Sequence, residues 1–135
     1  MLRIPLALLA DSANVSQDGK LNILGIFENI MSFQFPVSHP TMALVFAVEG
    51  DTGDIEREHD LTVDLIDSDG VRMANVVGKL KFPQLPAGHV RGNQIIYFNG
   101  LQFPKHGVYE FKVIINGEVR ASVPIGLNKI ELPPK

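Results

Sequence analysis

The apolar residues of this chain fall in short runs, broken at close intervals by glycine, proline, asparagine and aspartate. Some runs alternate. Leu61, Val63 and Leu65 are spaced by Thr62 and Asp64, and Tyr109, Phe111 and Val113 are spaced by Glu110 and Lys112. A period of two puts one face on a core and the other in water, which is the mark of a half-buried strand. Other runs are continuous. Ile4 to Ala10 is apolar with Pro5 at its start, where a strand tolerates one, and Met42 to Val48 reads as a central strand.

Turn chemistry sets the connections. In Ser16-Gln17-Asp18-Gly19-Lys20, Gly19 can supply the positive φ of a hairpin turn, so Lys20 to Phe27 pairs back on the first strand. Ser32 to Phe35 stops at Pro36. Ser68-Asp69-Gly70 leads into a strand over Val71 to Phe82, and Asn116-Gly117 is the strongest hairpin signal, pairing Glu118 to Ile125 with the strand before it. Gln94 to Phe103 is a strand with Asn99-Gly100 inside it, which predicts a bulge or bend. Two segments exceed what hairpins need: Gly50 to His59 (GDTGDIEREH) and Pro83 to Asn93 (PQLPAGHVRGN). No window sustains a helical period over three turns. Asp54 to Asp60 is the one place where a single helical turn fits. About eight or nine strands with hairpin connections predict an all-β antiparallel β-sandwich, immunoglobulin-like or a related Greek key, with a closed barrel as the alternative. Residues 1–135 form one domain, and 130–135 fray.

Composition narrows the function classes. With 135 residues, 45% hydrophobic and 20% charged, the chain suits one folded domain with its own core. It has no cysteine, which excludes disulfides, thiolate metal sites and cysteine nucleophiles and leans towards a reducing cytoplasm. A net charge of −3 gathers no phosphates, so no nucleic-acid partner is expected. No apolar run approaches the ~20 residues of a membrane-spanning helix. Arg3 followed by Ile4 to Ala10 resembles a secretion signal, but it is too short, and the strand reading explains more. Asn14-Val15-Ser16 fits a glycosylation sequon and reads more simply as polar residues flanking a turn.

Candidate chemistry is thin. His39, His59, His89 and His106 sit in predicted loops, none with a second histidine at metal-ligand spacing, and read as scattered, solvent-exposed imidazoles. Asp67-Ser68-Asp69-Gly70 resembles the start of a calcium loop without its distal glutamate. Asp51, Asp54, Asp67 and Asp69 are the weak metal candidates if the loops converge. There is no G-x-S-x-G elbow, no nucleotide fingerprint and no tryptophan for stacking. No cofactor and no catalytic residue are expected. Lys105-His106-Gly107-Val108-Tyr109-Glu110-Phe111 has the spacing of a tyrosine corner, in which the tyrosine hydroxyl bonds backbone a few residues upstream and the residue two later enters the core.

Taken in order, ALLADSANVSQDGKLNILGIF, FPVSHP, LIDSDG and LQFPKHGVYEFKVIINGE with VPIGL resemble a family of small bacterial proteins catalogued only as a domain of unknown function. The resemblance covers nearly the whole chain and rests on strand-and-turn signatures. It implies a single all-β domain and brings no catalytic residue or partner with it. The expectation from the residues is a non-enzymatic binding or assembly module with an unknown protein partner or a homo-oligomeric state. The interaction loop holds His89 and Arg91, and an edge such as Glu118 to Ile125 is free to pair with its copy. The alternative is a small-ligand or calcium-binding domain using the end loops.

Overall fold

In a computed structural model, residues 2–55, 57–82 and 90–131 are described. They form nine strands: β1 Arg3–Val15, β2 Leu21–Phe27, β3 Asn29–Ser32, β4 Val37–Gly50, β5 His59–Ile66, β6 Arg72–Leu80, β7 Val90–Phe103, β8 Gly107–Ile115 and β9 Glu118–Lys129. One 3-10 turn, Thr52–Asp54, interrupts them, and the described residues contain no α-helix. The strands make a four-stranded sheet, ordered β2-β1-β4-β7, and a five-stranded sheet, ordered β3-β9-β8-β5-β6. Every pair is antiparallel except β3 with β9, which is parallel, so the second sheet is mixed rather than purely antiparallel.

The two sheets stack face to face. Leu9, Met42, Leu44 and Phe46 of one and Val63, Phe111, Val113 and Ile125 of the other form one buried cluster. Phe98 meets Phe111 across the gap with ring centroids 5.2 Å apart, and Phe103 meets Tyr109 edge-on at 5.0 Å. β5 and β8 alternate strictly between buried and partly exposed residues, as their sequence requires.

The turns form as their residues dictate. Gly19, Gly70 and Gly117 have φ of 84°, 81° and 81°, and Asn116 itself adopts φ 52°. Several expectations are revised. β4 runs from Val37 to Gly50, well beyond Met42 to Val48, because β7 pairs with it throughout, from Val37↔Phe103 to Gly50↔Val90. β7 therefore begins at Val90, inside the segment read as a loop. Asn99-Gly100 makes no bulge, since the register is the same on both sides of it. Instead, Gly100, with φ 67°, faces Pro40, and both strands switch faces there: Phe98 and Phe103 are of opposite parity yet share the interior cluster. The single turn of helix falls at Thr52–Asp54, before the segment that suggested it. The chain end is held as far as Ile130, whose amide donates to the Ser32 carbonyl at 2.8 Å. Residues 132–135 of the predicted tail lie outside the described residues.

Candidate functional site

The outer faces of the two sheets differ in kind. On the five-stranded sheet the outer face is charged and cross-linked by polar contacts. Asn75 donates to Asp64 at 2.6 Å, Lys112 pairs with Glu110 at 2.9 Å, and Lys79 pairs with Asp60. Bonds from Lys112 and then Ser122 hold the Glu110 carboxyl below the ordinary carboxylate range. This is an ordinary solvated face.

The four-stranded sheet carries a second apolar cluster on its outer side. Ala13, Ala43 and Val45 are buried there, with Leu8, Leu21, Ile23 and Ile95 packed against them, so the cluster is built from the strands of this sheet alone. The continuous run in β4 produces it: Met42, Leu44 and Phe46 point into the interior, leaving Ala43 and Val45 on the opposite face. Ile26 (61% exposed) and Tyr97 (45%) widen the apolar field. Tyr97 lies opposite Ala43 on β7, and its hydroxyl crosses to β1, where it donates to the Ala13 carbonyl at 2.6 Å and accepts from the Ala13 amide at 2.9 Å. β1 pairs with β4 only as far as Ala10, so the phenol supplies partners that β4 no longer offers.

Arg91 closes one end of this field. It lies on a strand, directly across from Glu49, and donates to that carboxylate at 2.8 Å. Arg3 approaches the same carboxylate from β1 at 3.4 Å. His89, the other residue of the predicted interaction loop, lies outside the described residues. The Gly50↔Val90 pairing puts the start of the 50–59 connection and the start of β7 at the same end of the sheet.

The four aspartates do not form one site. Asp51 and Asp54 flank the 3-10 turn before β5, whereas Asp67 and Asp69 lie in the turn after it, so the length of β5 separates the pairs. The Asp67 carboxylate is engaged in its own turn, accepting from the Asp69 and Val71 amides at 2.9 Å each. Among the described residues no three histidine, aspartate or glutamate side chains converge as a metal site.

The histidines are not all exposed. His59 is only 3% exposed. Its Nε2 lies 3.0 Å from the Asp54 carbonyl, and its Nδ1 lies 3.0 Å from the Asn116 Nδ2. An amide nitrogen donates, so Nδ1 accepts and Nε2 carries the proton. Asn116 in turn accepts from the Asp60 amide at 2.9 Å, fastening the β8–β9 turn to the start of β5. His39 packs against Phe27 and His106 against Phe35. Tyr109 donates to the Lys105 carbonyl at 2.6 Å, as its spacing predicts, and Phe111 is fully buried.

Sequence reasoning placed Met42 to Val48 centrally without drawing out its outer face. The missed residues, among them Leu8, Val45, Ile95 and Tyr97, were signalled by the failure of β1, β4 and β7 to alternate where β5 and β8 do. A strand apolar on both sides is one that has contacts on both sides.

A model described as "Family of unknown function (DUF6941)" matches residues 5–128. No curated protein matches. Among solved structures, the chain is similar to the alkylpurine DNA glycosylase AlkC of Pseudomonas fluorescens bound to DNA containing an abasic site analog. The identity is 21% and the TM-score 0.45, over 94% of this chain and 30% of that one. The chain thus spans less than a third of that protein's length. No helix among the described residues is long and apolar enough to cross a membrane.

Proposed function

The chain belongs to this family of unknown function, and from there we propose that it is a non-enzymatic binding or assembly module whose working surface is the outer face of its four-stranded sheet. The observation that carries this reading is the second apolar cluster around Ala43 and Val45, with Ile26 and Tyr97 exposed beside it. Large exposed apolar fields rimmed by polar groups mark contact surfaces. The residues of the cluster are all uncharged, and the Arg3–Glu49–Arg91 row bounds one end. The partner is therefore a protein surface that is itself apolar where it meets the sheet.

The finer identity of the fold is part of the proposal: an immunoglobulin-like sandwich, supported by the Tyr109 corner, in a cytoplasmic bacterial protein. The test compares partners retained by the wild-type chain and by a Leu8→Lys, Ile26→Lys double variant of equal melting temperature. The reading expects proteins held by the first and lost by the second. The same partners on both baits, or none on either, would overturn it.

A further inference from the structure

β7 is the last strand of its sheet. One side is paired with β4 along its whole length, and no described strand pairs with the other. We infer that this open side is a homotypic assembly edge: two copies pair their β7 strands antiparallel about a two-fold axis, joining two four-stranded sheets into one. The inference rests on the binding-module reading and adds to its outer face a second contact, along the edge of the same sheet.

An open edge presents a row of backbone donors and acceptors that only another extended strand satisfies. Folded proteins blunt such edges, and among the described residues the other outermost strands, β2, β3 and β6, and the free part of β9 are blunted. β3 has four residues, β6 carries Arg72 and Lys79, and the free part of β9, before its pairing with β3 at Gly126, carries Glu118, Arg120 and Pro124. β2 has seven residues, flanked by Lys20 and Glu28 and broken by Gly25 at φ 73°. β7 has 14 residues, and from Gly92 to Gln102 it contains neither a charge nor a proline. Its Arg91 is turned to Glu49 of its own sheet.

Charge selects a second copy as the occupant. An uncharged edge offers no countercharge to a charged strand and matches an uncharged one. Gln94-Ile95-Ile96-Tyr97-Phe98 is such a strand, rich in β-branched and aromatic residues that pair well across strands. In antiparallel pairing about an axis near Ile96, the arginine of each copy lies far from that of the other, so like charges do not meet. Ile95 and Tyr97 border the open edge, so pairing also makes the two apolar outer faces continuous.

The chain has no cysteine, so a single one introduced at Gln94, Ile95, Ile96 or Tyr97 is an unambiguous reporter. In native mass spectrometry at ~10 µM the wild-type chain should be a dimer, and Ile95→Lys should weaken that dimer by roughly tenfold or more. Under mild oxidation one or two adjacent β7 cysteines should form a disulfide dimer. Controls at Val77 on β6 and Leu8 on the outer face should not. A monomer up to ~100 µM would overturn edge pairing and leave the outer-face reading to its own capture test. A dimer that cross-links through Leu8 but not through β7 would overturn edge pairing while supporting the face.

Discussion

At the scale of single residues, three polar contacts have consequences for stability. Tyr109 donates to the Lys105 carbonyl and accepts a longer bond from the Lys105 amide, so Tyr109→Phe removes these two contacts of one hydroxyl and little else. The expected cost is about 1 kcal/mol, read as a fall of roughly 3 °C in Tm, with the fold unchanged. His59 links Asp54, before β5, to Asn116 at the far hairpin, and it packs edge-on against Phe82. His59→Ala should cost about 2–4 kcal/mol, because a cavity forms and the Asn116 side-chain amide loses its acceptor. In a double-mutant cycle it should couple to Asn116→Ala rather than add. Glu110 contributes a pH dependence. Its carboxyl is held below the ordinary value of 4.5, chiefly by Lys112 and then by Ser122. A depressed folded value stabilises the protein above the unfolded pKa, and the gain is lost as pH falls through the folded one. Urea unfolding at about pH 7 and about pH 3 should therefore show the wild-type advantage over Glu110→Gln shrinking in acid.

At the scale of elements, two glycines hold the four-stranded sheet in shape. Gly25 and Gly100 both adopt positive φ within strands. A Cβ on Gly25 would come 2.4 Å from the Asp11 Oδ2, whereas one on Gly100 would meet nothing closer than the Ser38 Oγ at 4.0 Å. Gly100→Ala should thus cost only backbone strain, about 1 kcal/mol, and Gly25→Ala noticeably more. Asp11→Ala should recover part of the second loss and none of the first, as thermal unfolding of the wild type, the three single variants and the two double variants would show. Much of this architecture was legible in the sequence. The hairpin turns at Gly19, Gly70 and Asn116-Gly117 and the alternating β5 and β8 followed from local rules. The ends of β4 and β7 did not. Pro40 and Gly100 look like interruptions when each strand is read alone, yet they face each other, and the long β4–β7 ladder carries both strands past them. Nor did the parallel β3–β9 pair, because a four-residue strand contains too little pattern to show its partner.

At the scale of the whole molecule, the two outer faces of the sandwich are unlike each other. One is laced with Glu110, Lys112, Asp64 and Asn75, while the other holds a small core of its own around Val45. The sequence contained that asymmetry as unbroken apolar runs beside alternating ones. The four aspartates drawn from it as weak metal candidates do not assemble into one site, because sequence proximity to a turn does not say which end of the molecule the turn occupies. Polar substitutions should report the same asymmetry: Val77→Lys on β6 should leave stability within about 0.5 kcal/mol, as surface changes do, and should leave binding untouched. The most direct test is photo-cross-linking in living cells, with a photoreactive side chain placed at Leu8 or Ile26 on the apolar face and at Val77 on the charged sheet. Protein adducts at the first two positions and none at the third are the expected result; adducts of equal yield at all three, or none at Leu8 and Ile26, would contradict the account.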